Sequence, residues 1–310
     1  LVSESVEEAA VNYNNTILLS SKRNEYMIKR VERITKRTVW ALCEHVKSGD
    51  FVPKGFELQF SRLDHLNSVN VDLHDGSKML LQGRIDRVDT KEEDNEVYLR
   101  VIDYKSGSTS LDMAKLYHGL QLQLVVYLNA AMELEQKQAP EKVVIPAGIF
   151  YYNINDPLVE KQLDKLKESE HSAQWIETID EELLKELKLN GIVNDKKEVI
   201  MSMDHTFVDE EDETRMRGSA KSKVIPVDTT KDGSLSKRSS TASNQAFGKL
   251  CEFVMDKVKE YGNEIIDGHI SLEPYKMGNA TACDYCDYKS VCGFDQKLPG
   301  NTYRKLVKLK

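Results

Sequence analysis

Two short runs, Gly83-Arg84-Ile85-Asp86-Arg87 and Ile102-Asp103-Tyr104-Lys105, place two acids and a lysine where they can act together. Carboxylates are the ligands a hard divalent cation such as Mg²⁺ prefers, and an ammonium beside them steadies charge on a phosphate. That combination suits metal-assisted phosphodiester hydrolysis.

The elements that must position them follow from composition. Segments 79–89 and 97–105 are rich in β-branched and apolar residues, and the polar stretch 91–96 between them reads as a turn. If the turn centres on Asp94-Asn95, antiparallel partners have numbers summing to about 189. Asp86 then faces Asp103 and Arg84 faces Lys105. Alternation places these four on one face, with Ile85, Ile102 and Tyr104 on the other. Directly opposed carboxylates repel, and a bound Mg²⁺ would compensate. The plainer alternative is a solvated hairpin in which Asp86 pairs with Arg84 or Arg87 and Lys105 is a surface lysine.

A run from 111 to about 135 carries Leu116, Leu120, Leu124, Leu128 and Ala131 at helical spacing, which predicts one long helix. Gln123 and Tyr127 lie one turn apart on it, able to brace the metal strands or to serve as ordinary boundary residues. A second basic helix contains Lys22, Arg23, Lys29, Arg30, Arg33, Lys36 and Arg37. Arg30, Arg33 and Arg37 either contact a phosphate backbone or form a solvated face. Three of the five cysteines, Cys283, Cys286 and Cys292, are spaced as a metal half-site, and an all-cysteine site needs a fourth thiolate. Cys43 and Cys251 read as small core residues on helices. His45, His65, His74 and His118 read as surface residues.

Taken in order, G-x-I-D-R, I-D-Y-K and Q-L-V-V-Y resemble the RecB-like branch of the PD-(D/E)xK nuclease superfamily. The cysteine hook after Glu273-Pro274-Tyr275-Lys276 is similar to the one that ends the AddB family of bacterial AddAB helicase-nucleases. Gly55-Phe56-Glu57-Leu58, Pro146-Ala147-Gly148 with Tyr151, Lys231-Asp232-Gly233-Ser234-Leu235 and Lys289-Ser290-Val291-Cys292 extend the likeness through most of the chain. The resemblance implies an α/β restriction-endonuclease-like core, a mixed sheet flanked by helices, with helical additions and a C-terminal cysteine hook. It makes Asp86 and Asp103 metal ligands together with the Tyr104 carbonyl, and Lys105 the residue that positions water and steadies phosphate. Gln123 and Tyr127 support the site, and Glu57 is a weaker candidate.

It further implies a Mg²⁺-dependent deoxyribonuclease, acting as an exonuclease or endonuclease on the 5′-ended strand during break resection and recombinational repair, with DNA and an AddA helicase-nuclease subunit as partners. The alternative is a catalytically weak DNA-binding or structural module. A 4Fe–4S cluster on Cys283, Cys286 and Cys292 would take its fourth cysteine from well upstream. The family's upstream histidine has no counterpart, and the chain opens at Leu1, so a fragment of a longer parent is expected, without an intact cluster of its own.

With 30% charged and 40% hydrophobic residues and no long apolar run, the composition fits a soluble cytoplasmic protein, not a membrane one. The net charge of −8 bears on solubility, whereas DNA binding depends on local fields. No P-loop is present, so ATP hydrolysis is not expected. The expected organisation is a single nuclease domain over 1–310: a helical lead-in (1–50), a catalytic core (51–155) and a helical region (156–262) with a mobile 209–245 segment. A cysteine-rich staple and basic tail (263–310) complete it.

Overall fold

Strand formers concentrated between positions 52 and 153 build the sheet on which everything else is laid. In the computed structural model, which describes residues 1–13, 16–60, 66, 68–157 and 172–307, helices α1 (Val2–Asn12) and α2 (Lys22–Lys47) lead into β1 (Val52–Phe60). A small ribbon, β2 (Asn70–Asp72) with β3 (Lys78–Leu80), precedes the hairpin of β4 (Gly83–Glu92) and β5 (Glu96–Lys105). Next come α3 (Met113–Tyr117), α4 (Gln123–Gln138), β6 (Val143–Asn153), α5 (Ser172–Glu186), β7 (Asn190–Asn194) and α6 (Lys197–Met203). After β8 (Thr241–Ala242) and α7 (Asn244–Ile266) the chain ends in β9 (Tyr275–Met277), β10 (Ala280–Thr281), α8 (Lys289–Cys292) and β11 (Arg304–Lys305).

The main sheet among the described residues runs β1-β4-β5-β6-β7-β8. The pairs β5–β6 and β7–β8 are parallel and the others antiparallel, so the sheet is mixed and the chain is α/β, as expected. Its central strands are buried on both sides. One face packs Val88, Leu99 and Val101 against Leu124 and Leu128 of α4 and Phe247 and Val254 of α7. The other packs Ile102, Phe150 and Tyr152 against Ala41 of α2, Ile200 and Met203 of α6, and Phe207 and Ile225 beyond it. Burying each such side chain contributes about 1.5–3 kcal/mol, which is why helix positions follow the sheet.

Several expectations need correction. The single helix over 111–135 is two, broken at Gly119, which has φ +76 and where a Cβ would lie 1.9 Å from Tyr261 Oη. Leucine spacing carries no sign of that break, and the gain is a fresh helix start at Gln123. The region 156–262 is not all helical, because β7 is a five-residue buried strand, and short buried strands look like helix segments by periodicity. The 209–245 segment is not loose: Ala220, Val224, Ile225 and Val227 are buried in the core. Its polar residues secure turns, with the Ser222 hydroxyl accepting from the Val224 and Ile225 amides, both at 2.9 Å. His45 is buried at 2% exposure, not a surface residue, and Cys43 is exposed on α2, not in the core. Both differ because α2 turns its His45 side, not its Cys43 side, onto the sheet. His65 lies outside the described residues. No helix among the described residues is long and apolar enough to cross a membrane.

Candidate active site

The β4–β5 hairpin adopts the expected register: Arg87 pairs with Ile102, Asp89 with Arg100 and Glu92 with Val97. The ladder stops at Arg87 and Ile102, one step before the two acids. There the strands part, and instead of sitting opposite Asp103 in the ladder, Asp86 turns so that its Oδ2 accepts from the Tyr104 backbone N–H at 2.8 Å.

Asp103 is 2% exposed. Its Oδ2 lies 2.6 Å from Lys105 Nζ but has no aligned hydrogen bond. Burial raises the Asp103 carboxyl above its ordinary range; Lys105 opposes this and Asp86 adds to it. Lys105 Nζ donates to Gln123 Oε1 at 3.0 Å, and Gln123 Nε2 donates to Tyr127 Oη at 2.8 Å. The expected set of Asp86, Asp103, Lys105, Gln123 and Tyr127 is thus brought together, with α4 placed by its Leu124 and Leu128 side so that its first turn reaches the lysine.

Alternation fails at one point. Ile85 packs with Val88, Val101 and Leu124, on the face opposite Ile102. Arg84 does not face Lys105; its Nε is 2.6 Å from Glu57 Oε2, both side chains being largely exposed. The cause lies in β1, where the register shifts between Pro53 and Gly55 and where Glu57 holds a left-handed φ of +54 between the pairs Phe56–Arg87 and Leu58–Ile85. A non-glycine residue in that region is strained, and such strain collects at functional sites.

The donor chemistry fits a hard cation. Asp86 and Asp103 offer oxygen ligands, and the buried Asp103 Oδ2 lacks an aligned donor. Among the described residues no three His, Cys, Asp or Glu side chains gather as a metal-holding group, so the remaining ligands would be main-chain carbonyl, water and phosphate, the set Mg²⁺ favours.

Cys283, Cys286 and Cys292, the last at the end of α8, all fall between β10 and β11, in a segment closed by the parallel pairing of β9 with β11. Among the described residues these three thiols do not form a group that could hold a metal, and an all-cysteine site takes four. Arg33 and Arg37 are both ion-paired with Asp156, just past β6, and Asp156 also feels Arg30. They tie α2 to the sheet.

Three contributors were given no role in the site by the sequence. Tyr151, beside Asp103 in the β5–β6 register, sets its ring 5.4 Å from Lys105 Nζ, and burial pushes its phenol up to about 12. Asp156 gives no local signal. The third is a buried cluster in which Arg87 Nε and Nη2 donate to Asp89 at 2.6 and 2.9 Å and Arg100 Nε donates to the same carboxylate at 2.9 Å. The 189 rule already placed Asp89 opposite Arg100.

Comparison with known proteins adds the following. The profile of the PD-(D/E)XK nuclease superfamily matches residues 1–293. A protein of Lachnoclostridium phytofermentans, named as the B subunit of an ATP-dependent helicase/deoxyribonuclease, is 43% identical over 305 residues, covering 98% of this chain and 24% of its own length. Proteins of the same name from Alkaliphilus metalliredigens and Bacillus cereus are 36% and 38% identical, covering 100% and 98% of this chain and 25% of each relative. The chain spans about a quarter of the length of these relatives.

Proposed function

Because the chain belongs to the PD-(D/E)XK nuclease superfamily, we propose that it is the Mg²⁺-dependent deoxyribonuclease domain of a helicase-nuclease, hydrolysing the 5′-ended strand during break resection. The observation that carries this reading is the continuous contact chain Asp103–Lys105–Gln123–Tyr127, with Asp86 fixed alongside by the Tyr104 amide.

Asp86, Asp103 and the Tyr104 carbonyl would hold the cation, which when bound lowers the pKa of water and screens charge on phosphoryl oxygens. Lys105 is restrained on three sides, by Asp103, Gln123 and the Tyr151 ring, so its ammonium meets a phosphate oxygen with little ordering left to do. Gln123 holds that lysine, and Tyr127 holds Gln123. Hydrolysis adds water across one P–O bond: the water oxygen joins phosphorus, and the departing sugar oxygen takes a proton.

DNA and a second, AddA-type helicase-nuclease subunit are the partners in this proposal. The relatives' name, which specifies a helicase and one subunit of it, supports both. Of Arg30, Arg33 and Arg37, the last two would reach a phosphate backbone only by giving up their ion pairs with Asp156. A 4Fe–4S cluster on Cys283, Cys286 and Cys292 would require a further thiolate. The test is nicking of single-stranded DNA in Mg²⁺, by the chain and by its complex, with Asp86→Ala and Lys105→Ala. Each variant should lose activity by about 10²-fold or more. Cutting at the unmodified rate would reject the site.

A further inference from the structure

We propose that the cleft between α4 and α7, along the half of α4 away from Gln123, is a docking groove for a basic amphipathic helix of a partner protein. Its shape, its charge and one glycine each point to that occupant.

The cleft has a volume of about 910 Å³. Asn129, Met132 and Gln136 line it from α4, three and four residues apart and so on one side of that helix. The stretch of α7 that lines it, from Asn244 to Asp256, rises about 18 Å, the length of a helix of about twelve residues. Met132, Met255 and Val144 give it an apolar base continuous with the core. Methionine fits itself to irregular apolar surfaces, and a groove with such a base takes the apolar stripe of a helix.

The rim selects the charge beside that stripe. Glu133, Glu252 and Asp256 line the cleft, and no Lys, Arg or His is found among the described residues lining it. Glu252 and Asp256 are exposed, lie one turn apart on α7 and form no ion pair with a described residue. Like charges at that spacing are unfavourable, and a cation laid between them offsets the repulsion. The same field repels a phosphate backbone and favours Lys and Arg on the flanks of an incoming helix.

Gly248 stands in the wall of the cleft, inside α7, where glycine weakens a helix relative to alanine. Nothing within the chain requires it, since a Cβ there would meet no atom within 4 Å. Gly262 of the same helix is the contrast: a Cβ there would lie 2.8 Å from Leu73 Cδ2. Gly262 makes room for the chain itself, whereas Gly248 leaves room for a close approach from outside.

The experiment titrates the 310-residue chain, labelled with ¹³C in its nine methionine methyls, with a synthetic helix of about fourteen residues bearing Leu on one face and Lys on the other. The methyls of Met132 and Met255 should shift, and that of Met27, in the apolar cleft between α1 and α2, should not. The Lys helix should bind at least about tenfold more tightly than the same helix with Glu in place of Lys. Glu252→Lys with Asp256→Lys should reverse that preference. Gly248→Leu should abolish the shifts with the urea midpoint held or raised, because leucine is the better helix former. Equal binding of the two helices, shifts centred on Met27, or shifts that survive Gly248→Leu would overturn the proposal. So would Met132 and Met255 signals that move on dilution of the chain alone, which assigns the groove to a second copy, or that move with a single-stranded oligonucleotide, which assigns it to DNA. None of these measurements involves cleavage, so their outcome is separate from that of the nuclease reading.

Discussion

At the scale of single residues, the chemistry depends on how much water each charge has lost. Asp103 is shielded enough for its carboxyl to hold a proton above the ordinary carboxylate range, and a proton there competes with a cation. Divalent affinity should therefore weaken as pH falls, beginning at a higher pH than an exposed aspartate would give. Asp103→Asn should weaken Mg²⁺ binding by calorimetry and remove that pH dependence; an unchanged isotherm would contradict the assignment. His45 is the opposite case. Burial, reinforced by Arg100 and Arg87, lowers its pKa from 6.5 to about 3, so the folded chain keeps it neutral while the unfolded chain protonates it below 6.5. The unfolded state then binds more protons, and stability is lost as pH falls from 6.5 toward 3. At pH 5 the loss amounts to about 2 kcal/mol. His45→Phe should flatten the decline in urea midpoint between pH 7 and pH 5; an unaltered decline would show that His45 does not set it.

At the scale of elements, the site depends on how closely α4 approaches β4. Tyr127 meets Phe60 edge-on at 5.9 Å, over Gly83. A Cβ at Gly83 would lie 2.7 Å from Phe60 Cζ and 3.3 Å from Tyr127 Cε1, so the glycine of G-R-I-D is there for clearance, not for a left-handed turn. Gly83→Ala should cost about 1–3 kcal/mol by overpacking and should lower kcat by shifting Tyr127 and, through it, Gln123. Adding Phe60→Leu should restore part of the stability. If Gly83→Ala melts and cuts like the unmodified chain, the close approach has no functional weight. The irregular β1 belongs to the same scale: its register shift and the strained Glu57 turn Arg84 outward and break the alternation at Ile85.

At the scale of the whole molecule, a net charge of −8 coexists with a basic α2, and the fold decides which cations are at liberty. Arg33 and Arg37 hold Asp156, whose side chain is only 11% exposed. Arg33→Gln with Arg37→Gln should lower the unfolding midpoint. Arg30→Gln should reduce the slope of log affinity against log salt by about one for single-stranded DNA. A salt slope unchanged by Arg30→Gln removes that residue from the DNA contacts.

The sequence by itself determined the hairpin and its register, which rest on turn composition and a two-residue strand period, and its motifs named five residues that the fold then gathers, Asp86, Asp103, Lys105, Gln123 and Tyr127. The Asp89–Arg100 opposition was legible by the same arithmetic. Only the tertiary structure decided that the strands part at the acids, that Gly119 interrupts the long helix, that His45 is buried, and that a polar stretch near 220–227 plugs the core. Those outcomes depend on what packs against each residue from distant parts of the chain. Tyr261 reaches Gly119 from α7, Asp156 reaches α2 from beyond β6, and neither leaves a mark in the residues it constrains.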